Sequence, residues 1–309
     1  MEGTINTNNE QSCPVMVSIV IVNYNGLSDT CELLECFENP NEYHIVVVDN
    51  ASIRNEGKAI KEKYPWVCVI RSESNLGYAG ACNLGIRNTK SKYIFIINND
   101  ILLNPRELRF LTNRLDGDPA IGIVCPKLRY NSGEKPIQFA GYTQLSSITL
   151  RNRAIGQGQK DDGGFDIPHP TPYAHGAAMM VRRDTIEKVG EMPECYFLYY
   201  EEYDWSEMMK RMGYKIWYEP ACTIYHKESQ STGKVSPLHT YYLTRNRLLF
   251  AKRNTPKNHA MMTYAYVIFL VCVRDVIKYY LKGQSDIAKA TIHGVNDFLR
   301  GRSHKHKYL

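Results

Sequence analysis

Uncharged runs rich in β-branched residues alternate with helical stretches through the first half of the chain. Met16–Val22, Tyr93–Ile97 and Ile121–Cys125 carry no Asp, Glu, Lys or Arg, and neither does His44–Val48. Such continuous runs predict strands buried on both faces of a parallel sheet. Val67–Ile70 adds an edge run. Asn104-Pro105 opens a helix to about Leu115, with Leu108, Leu111 and Leu115 on one face. This β-α-β-α rhythm predicts an α/β fold with helices on both faces of the sheet.

Residues 127–175 break the rhythm. They are rich in Gly, Gln, Asn, Asp and Pro and predict a long polar excursion over the active face. Order returns at Ala177–Val181, followed by a capping-box start at Asp184-x-x-Glu187. Trp205, Met208, Met209 and Met212 fall at i, i+3, i+4, i+7 and predict a helix over 205–212 that Gly213 ends. Past residue 236 the pattern is helical. Three regions follow: a flexible N-terminus over 1–14, an α/β domain over 15–235, and a helical C-terminal region over 236–309.

Composition changes this picture in four places. Of 309 residues, 22 are Tyr, which suits a polar cleft better than a dry core. The nine cysteines form no C-x-x-C pair, so a zinc ribbon is not indicated, and free thiols in a reducing compartment are expected. The first thirteen residues lack the basic start and apolar stretch of a signal peptide, which points to the cytoplasm. The net charge of +6 hides an asymmetry: from Lys227 onward there are 15 Lys/Arg against 4 Asp/Glu. Within that basic tail, Asn258–Val273 has no charged side chain. It is short for a membrane span and reads as a helix lying in the plane of an anionic membrane face. A helix packed on the domain is the competing reading.

In open α/β sheets ligands collect at the carboxyl ends of the strands. There the sequence places Asn23-Tyr24-Asn25-Gly26, Asp49-Asn50-Ala51-Ser52 and Asn98-Asn99-Asp100. Asn and Asp close turns, but three such clusters on adjacent strands suit a base, a ribose or a cation. Asp100 after a buried strand meets the need of a divalent cation that shares its shell with diphosphate oxygens. Asn75-x-Gly77 through Asn83-x-Gly85 opens a helix whose N–H groups could face an anion, although close packing also calls for Gly. Glu201, Glu202 and Asp204 crowd another helix start, where mutual repulsion raises a carboxyl pKa toward that of a general base. His226 leads a Ser/Thr/Gly loop able to complete a phosphate or metal shell.

Taken in order with Gly176-Ala177-Ala178-Met179 and Ser229, these landmarks resemble a family 2 glycosyltransferase of the GT-A fold, in the branch that includes bacterial rhamnosyltransferases. The resemblance covers about Val15 to Asn254 and makes 15–235 a catalytic domain. It implies a Rossmann-like, mixed and mainly parallel sheet, with C-terminal helices added. It further implies that Asn23, Tyr24 and Asp49 contact the base and ribose of a nucleotide-sugar, with Asn75, Gly77, Asn83, Asn98 and Asn99 around it. Asp100 would hold Mg²⁺ or Mn²⁺ and His226 would bind that ion or the diphosphate. Glu202 would be the base, with Glu201 and Asp204 as neighbours that could take the role. Two departures stand out: the D-x-D position reads Asn-Asn-Asp, so one metal contact runs through water or is missing, and the base is Glu where the family usually has Asp. No Q-x-x-R-W is present, which implies one sugar per encounter. The expected reaction is inverting, metal-dependent transfer to a glycan or lipid-linked saccharide in cell-surface polysaccharide synthesis. The expected place is cytoplasmic, peripheral on the inner face of the membrane. Two rivals remain: a sugar-1-phosphate nucleotidyltransferase, which would carry an Arg/Lys-bearing loop after the first strand, and a nucleic-acid-binding protein using the basic tail. The strand-end carboxylates repel phosphate and speak against a nucleic-acid partner.

Overall fold

The computed structural model describes residues 15–39, 42–227 and 236–302. The expectation of a flexible segment over 1–14 and the landmark Ser229 lie outside them. The uncharged runs form β1 (Val17–Asn23), β2 (His44–Asp49), β3 (Cys68–Arg71) and β4 (Tyr93–Asn98), joined through α1 (Leu27–Glu35), α2 (Glu56–Lys63) and α3 (Gly77–Arg87). These four strands pair in parallel, in the order β3-β2-β1-β4. α3 packs on Val46, Val48 and Val22 on one face, while Ile60 of α2 and Leu33 of α1 meet Ile19, Ile21 and Val47 on the other.

After β4 come β5 (Ile101–Leu103), α4 (Leu108–Gly117), β6 (Ile121–Tyr130), β7 (Ile137–Phe139), β8 (His169–Thr171) and β9 (Ala178–Arg182). Then follow α5 (Arg183–Val189), α6 (Glu201–Arg211) and β10 (Lys215–His226). β9 lies antiparallel between β4 and β6, β6 runs parallel to β10, and β5 closes the far edge antiparallel to β10. The sheet is therefore mixed, with parallel ladders at its nucleus.

Several expectations need correction. The polar excursion is partly sheet: β6 continues to Tyr130, and β7 and β8 add to β6 and β10. Buried Lys127 anchors this excursion through ion pairs with Asp161 and Asp166. The capping box at Asp184 is absent, because the N-cap of α5 is Arg182, two residues earlier, and no side chain caps the helix. Asp184 instead pairs with Arg182 at 3.1 Å. α6 begins at Glu201, four residues before its apolar stripe, and Met212 lies exposed beyond its end.

The remainder is helical: α7 (Pro237–Asn254), α8 (Lys257–Ala265), a π-helical stretch (Tyr266–Cys272), α9 (Val273–Leu281) and α10 (Ser285–Leu299). From Lys257 to Leu281 the helix is continuous for 25 residues, long and apolar enough to cross a membrane by length and composition alone. The uncharged run over 258–273 understated it, since helix continues through Arg274 and Lys278. Its inner side packs through Val267 and Cys272 against Leu248 and Val295 of the other C-terminal helices. Its first turns reach the domain through Ala260, clustered with Leu145 and Leu150, and through Thr263, which donates to the Ile148 carbonyl at 2.8 Å, so part of the competing reading, a helix packed on the domain, holds.

Candidate active site

Parallel register sets the site. Asn23 stands opposite Asp49, and Val22 opposite Asn98, so three strand ends finish along one edge. The side chains there divide into those turned inward and those left facing out.

Asn23 and Asp49 turn inward. Asn23 is fully buried; it donates to Ser52 Oγ (3.2 Å) and Glu56 Oε2 (2.9 Å) and accepts from Thr30 (2.7 Å). Asp49 accepts from the N–H groups of Ser52 and Gly57, both at 3.0 Å, and from Arg71. Burial works to raise its pKa, yet the hydrogen bonds prevail and hold the carboxyl below its usual range. Neither offers an unpaired atom to a nucleotide; they shape the edge and aim Arg71. Tyr24, by contrast, is exposed beside them.

The Gly-rich start of α3 is a packing device and not an anion cradle. Its first N–H groups are spent: Leu76 on Asn50 Oδ1 (2.8 Å), Gly77 on Asn75 Oδ1 (2.9 Å), Tyr78 on the Phe197 carbonyl (2.7 Å). Gly77 has φ +75°, and a Cβ there would stand 2.2 Å from the Phe197 oxygen, so only Gly allows this approach. Asn83 is buried, and its amide is occupied by Met192 and Glu194. Asn99 is partly exposed, and its amide donates to Gly26 O and Thr30 Oγ1 at 3.1 Å.

Asp100 is 2% exposed. Its Oδ1 lies 3.1 Å from His226 Nε2, and its Oδ2 is buried without a hydrogen-bond partner. His226 Nδ1 is 2.9 Å from Gln138 Oε1; with the ring hydrogen on Nδ1, the Nε2 lone pair would be the one turned toward the carboxylate. Two such donors 3.1 Å apart are spaced like neighbours around an octahedral ion with bonds of about 2.1 Å. The pair therefore fits a divalent cation. Among the described residues no group of three or more His, Cys, Asp and Glu could hold a metal, so diphosphate oxygens and water would complete the shell.

The three acids of α6 separate cleanly. Asp204 is fully buried and held by Tyr196 (2.9 Å) and Arg253; it ties α6 to α7. Glu201 is buried with Oε2 unpartnered. Glu202 is half-buried, and its carboxyl is the group nearest the open side of Gly176, whose neighbour Ala177 accepts from Asn98 N at 2.9 Å. The base candidate and the Asn98–Asp100 strand end thus meet across 176–177. Burial pushes Glu201 up to about 8, with Glu202 adding to it, and burial pushes Glu202 up to about 7. His175 stays neutral, its pKa lowered to about 3 by burial; its Nδ1 accepts from Ala177 N at 3.1 Å and fixes the turn.

What aims Glu202 lies outside every motif. Phe197, Tyr199 and Tyr200 all have positive φ (68°, 68°, 78°), a strain of about 1–3 kcal/mol each for non-Gly residues. α7 holds them in place. The Asn246 amide lies 2.6–3.1 Å from the carbonyls of Tyr196, Leu198 and Tyr199, and Arg245 donates to the Cys195 and Tyr196 carbonyls. Both side chains are buried. Asn246→Ala is expected to lower kcat on the order of 10–10²-fold through misplacement of Glu202, while the donor KM changes less than about twofold. A KM that rises with kcat unchanged would make Asn246 part of the donor site instead.

Against this geometry, the profile described as Glycosyl transferase family 2 matches residues 18–190. The chain is 24% identical over 299 residues to the low-salt glycan biosynthesis hexosyltransferase Agl10 of Haloferax volcanii, covering 94% of this chain and 92% of that one. It is 23% identical to the N-acetylglucosaminyl-diphospho-decaprenol L-rhamnosyltransferase of Mycobacterium tuberculosis, over 62% and 68% of the two chains. In fold it is similar to GalNAc-T7 solved with UDP, GalNAc and Mn²⁺, with TM-score 0.60 at 15% identity, covering 86% of this chain and 58% of that one.

Proposed function

Since the chain belongs to glycosyl transferase family 2 and is a nucleotide-sugar glycosyltransferase of the GT-A fold, we propose that it adds one sugar per encounter to a hydroxyl of a lipid-linked saccharide, with inversion. The observation that carries this reading is Glu202: a half-buried carboxyl with a pKa near neutrality, beside the strand end that bears Asp100. The relatives named above act in glycan synthesis, one of them on a diphospho-decaprenol acceptor.

In this reading the acceptor hydroxyl approaches over Gly176, where a side chain would block it. Glu202 takes its proton as the oxygen attacks the anomeric carbon, from the face opposite the leaving diphosphate. Asp204, locked by Arg253 and Tyr196, holds the helix that carries Glu202. Glu201 stays protonated behind it and spares Glu202 a second negative charge. At the β1–β3 edge Tyr24 is exposed toward the nucleotide, Arg71 stays part-exposed while held by Asp49 and the Ser52 carbonyl, and Asn50 donates to Asn75 Oδ1 at 3.1 Å. Asp100 and His226 would hold a divalent cation, which supplies positive charge against the leaving diphosphate.

A donor panel of UDP-, dTDP- and GDP-sugars tests the reading. One donor class is expected to give transfer to a lipid-linked saccharide, with inverted configuration by NMR of the product. Retention of configuration would rule out direct displacement with Glu202 as base, and formation of a nucleotide-sugar with release of diphosphate from a nucleoside triphosphate and a sugar-1-phosphate would restore the nucleotidyltransferase alternative.

A further inference from the structure

A second polar site lies between α7 and the helix over 257–281. It is a cavity of about 190 Å³ whose polar lining includes Arg151, His239, Thr240, Thr244, Arg247 and Tyr279. Arg247 is 8% exposed, and its Nε is buried with no hydrogen-bond partner. Among the described residues no acid pairs with it. Burial disfavours the charge of Arg247; Tyr200 works against this, and the neighbouring cation Arg151 adds to it. Asp275 also lines the cavity, but Arg274 already holds it at 2.7 Å. A buried cation without a counter-charge, beside a second cation, is unfavourable unless an anion fills the space between them. Thr240, Thr244 and Tyr279 add hydroxyl donors suited to phosphate oxygens.

The position supplies the rest. Arg247 follows Asn246, which holds the strained loop leading to Glu202. Tyr200, in that loop, feels Arg247, Glu202 and Arg151 together. On the other side, Val267, Val271, Asp275 and Tyr279 recur every four residues and turn one face of the helix to the cavity. The opposite face leaves Phe269 71% and Leu281 83% exposed, with Leu270, Val273 and Ile277 between them and Lys278 and Lys282 alongside. An apolar face flanked by lysines suits the surface of a bilayer.

We propose that this cavity binds the diphosphate of a polyprenyl-linked acceptor, with Arg247 and Arg151 as its cationic contacts and the outer helix face lying on the membrane that holds the prenyl chain. The proposal rests on the transferase reading and names the acceptor site it needs: a diphosphate held here leaves the attached saccharide beside the loop that ends at Glu202.

The test is calorimetry on the full chain in EDTA, which silences metal-dependent nucleotide binding. The probes are geranylgeranyl diphosphate, inorganic diphosphate, geranylgeraniol and dihexanoyl phosphatidylglycerol. Geranylgeranyl diphosphate is expected to bind at least about tenfold tighter than inorganic diphosphate, and geranylgeraniol only weakly. Arg151→Ala and Arg247→Met should each weaken it at least about tenfold without lowering Tm. Phe269→Ser combined with Leu270→Ser should weaken the prenylated probe and spare inorganic diphosphate. Arg151 is exposed, so Arg151→Ala decides the matter even if Arg247→Met does not fold. Unchanged affinity in Arg151→Ala overturns the proposal. Inorganic diphosphate binding as tightly as the prenylated probe, or phosphatidylglycerol binding through the same arginines, does so as well. Mn²⁺-dependent binding of UDP, dTDP and GDP to the unmodified chain is measured in parallel. Nucleotide binding without prenyl diphosphate binding removes this site alone, whereas no nucleotide binding removes the transferase reading.

Discussion

Glu202→Gln is expected to lower sugar transfer on the order of 10²–10⁴-fold while donor binding is kept. Gln matches the shape of Glu but cannot accept the proton of the acceptor hydroxyl. The unmodified enzyme should also show a pH signature. Its base works deprotonated, and its pKa is raised to about 7, so kcat should climb about tenfold per unit below that value and level off above it. The Gln variant should lose this acid limb. Asp204→Asn should instead act through stability, since Asp204 is buried against Arg253 and Tyr196; its melt should drop before any specific loss of kcat. If Glu202→Gln transfers sugar at a near-normal rate and Glu201→Gln is inactive, the proton belongs to Glu201.

Asp100→Asn is expected to abolish metal-dependent binding of a nucleoside diphosphate with the fold intact. The carboxylate is buried, and one of its oxygens has no partner in the protein. Such an atom costs about 1–3 kcal/mol unless something else meets it. Adding Mn²⁺ should therefore raise the Tm of the unmodified chain, because a ligand that binds only the folded state stabilises it. Asp100→Asn should melt at the same or a higher temperature without metal and show no rise with it. Unchanged Mn²⁺-dependent binding of UDP and dTDP in the variant would move the cation elsewhere.

The parts legible in the sequence were those that local pattern controls. The charge-free strands β1, β2 and β4, the helix opened by Asn104 (whose side chain accepts from Arg106 N at 3.2 Å), and the strand-end clusters all form where the pattern placed them. Short pieces were not legible. His169-Pro170-Thr171 has neither alternation nor β propensity and becomes strand only because β10 offers it an edge. The same holds for β7, three residues long against β6.

By itself the sequence determined the order of strands and site segments along the chain, and with it the family. A parallel sheet brings successive strand ends to one edge, so Asn23, Asp49 and Asn98 had to meet once the strands paired. Only the tertiary structure decided what each side chain does there. Asn23, Asp49 and Asn83 carry the residue types of ligand contacts, yet partners far away in sequence turn them inward. Glu201, Glu202 and Asp204 look alike along the chain. They separate because Arg253, 49 residues onward, neutralises Asp204, Glu201 is sealed in the interior, and Glu202 alone faces Gly176. The loop that aims Glu202 is held by Arg245 and Asn246, from a helix whose sequence announces nothing but helix. Burial and hydrogen bonding depend on what the rest of the chain packs into place, and no local pattern carries that information.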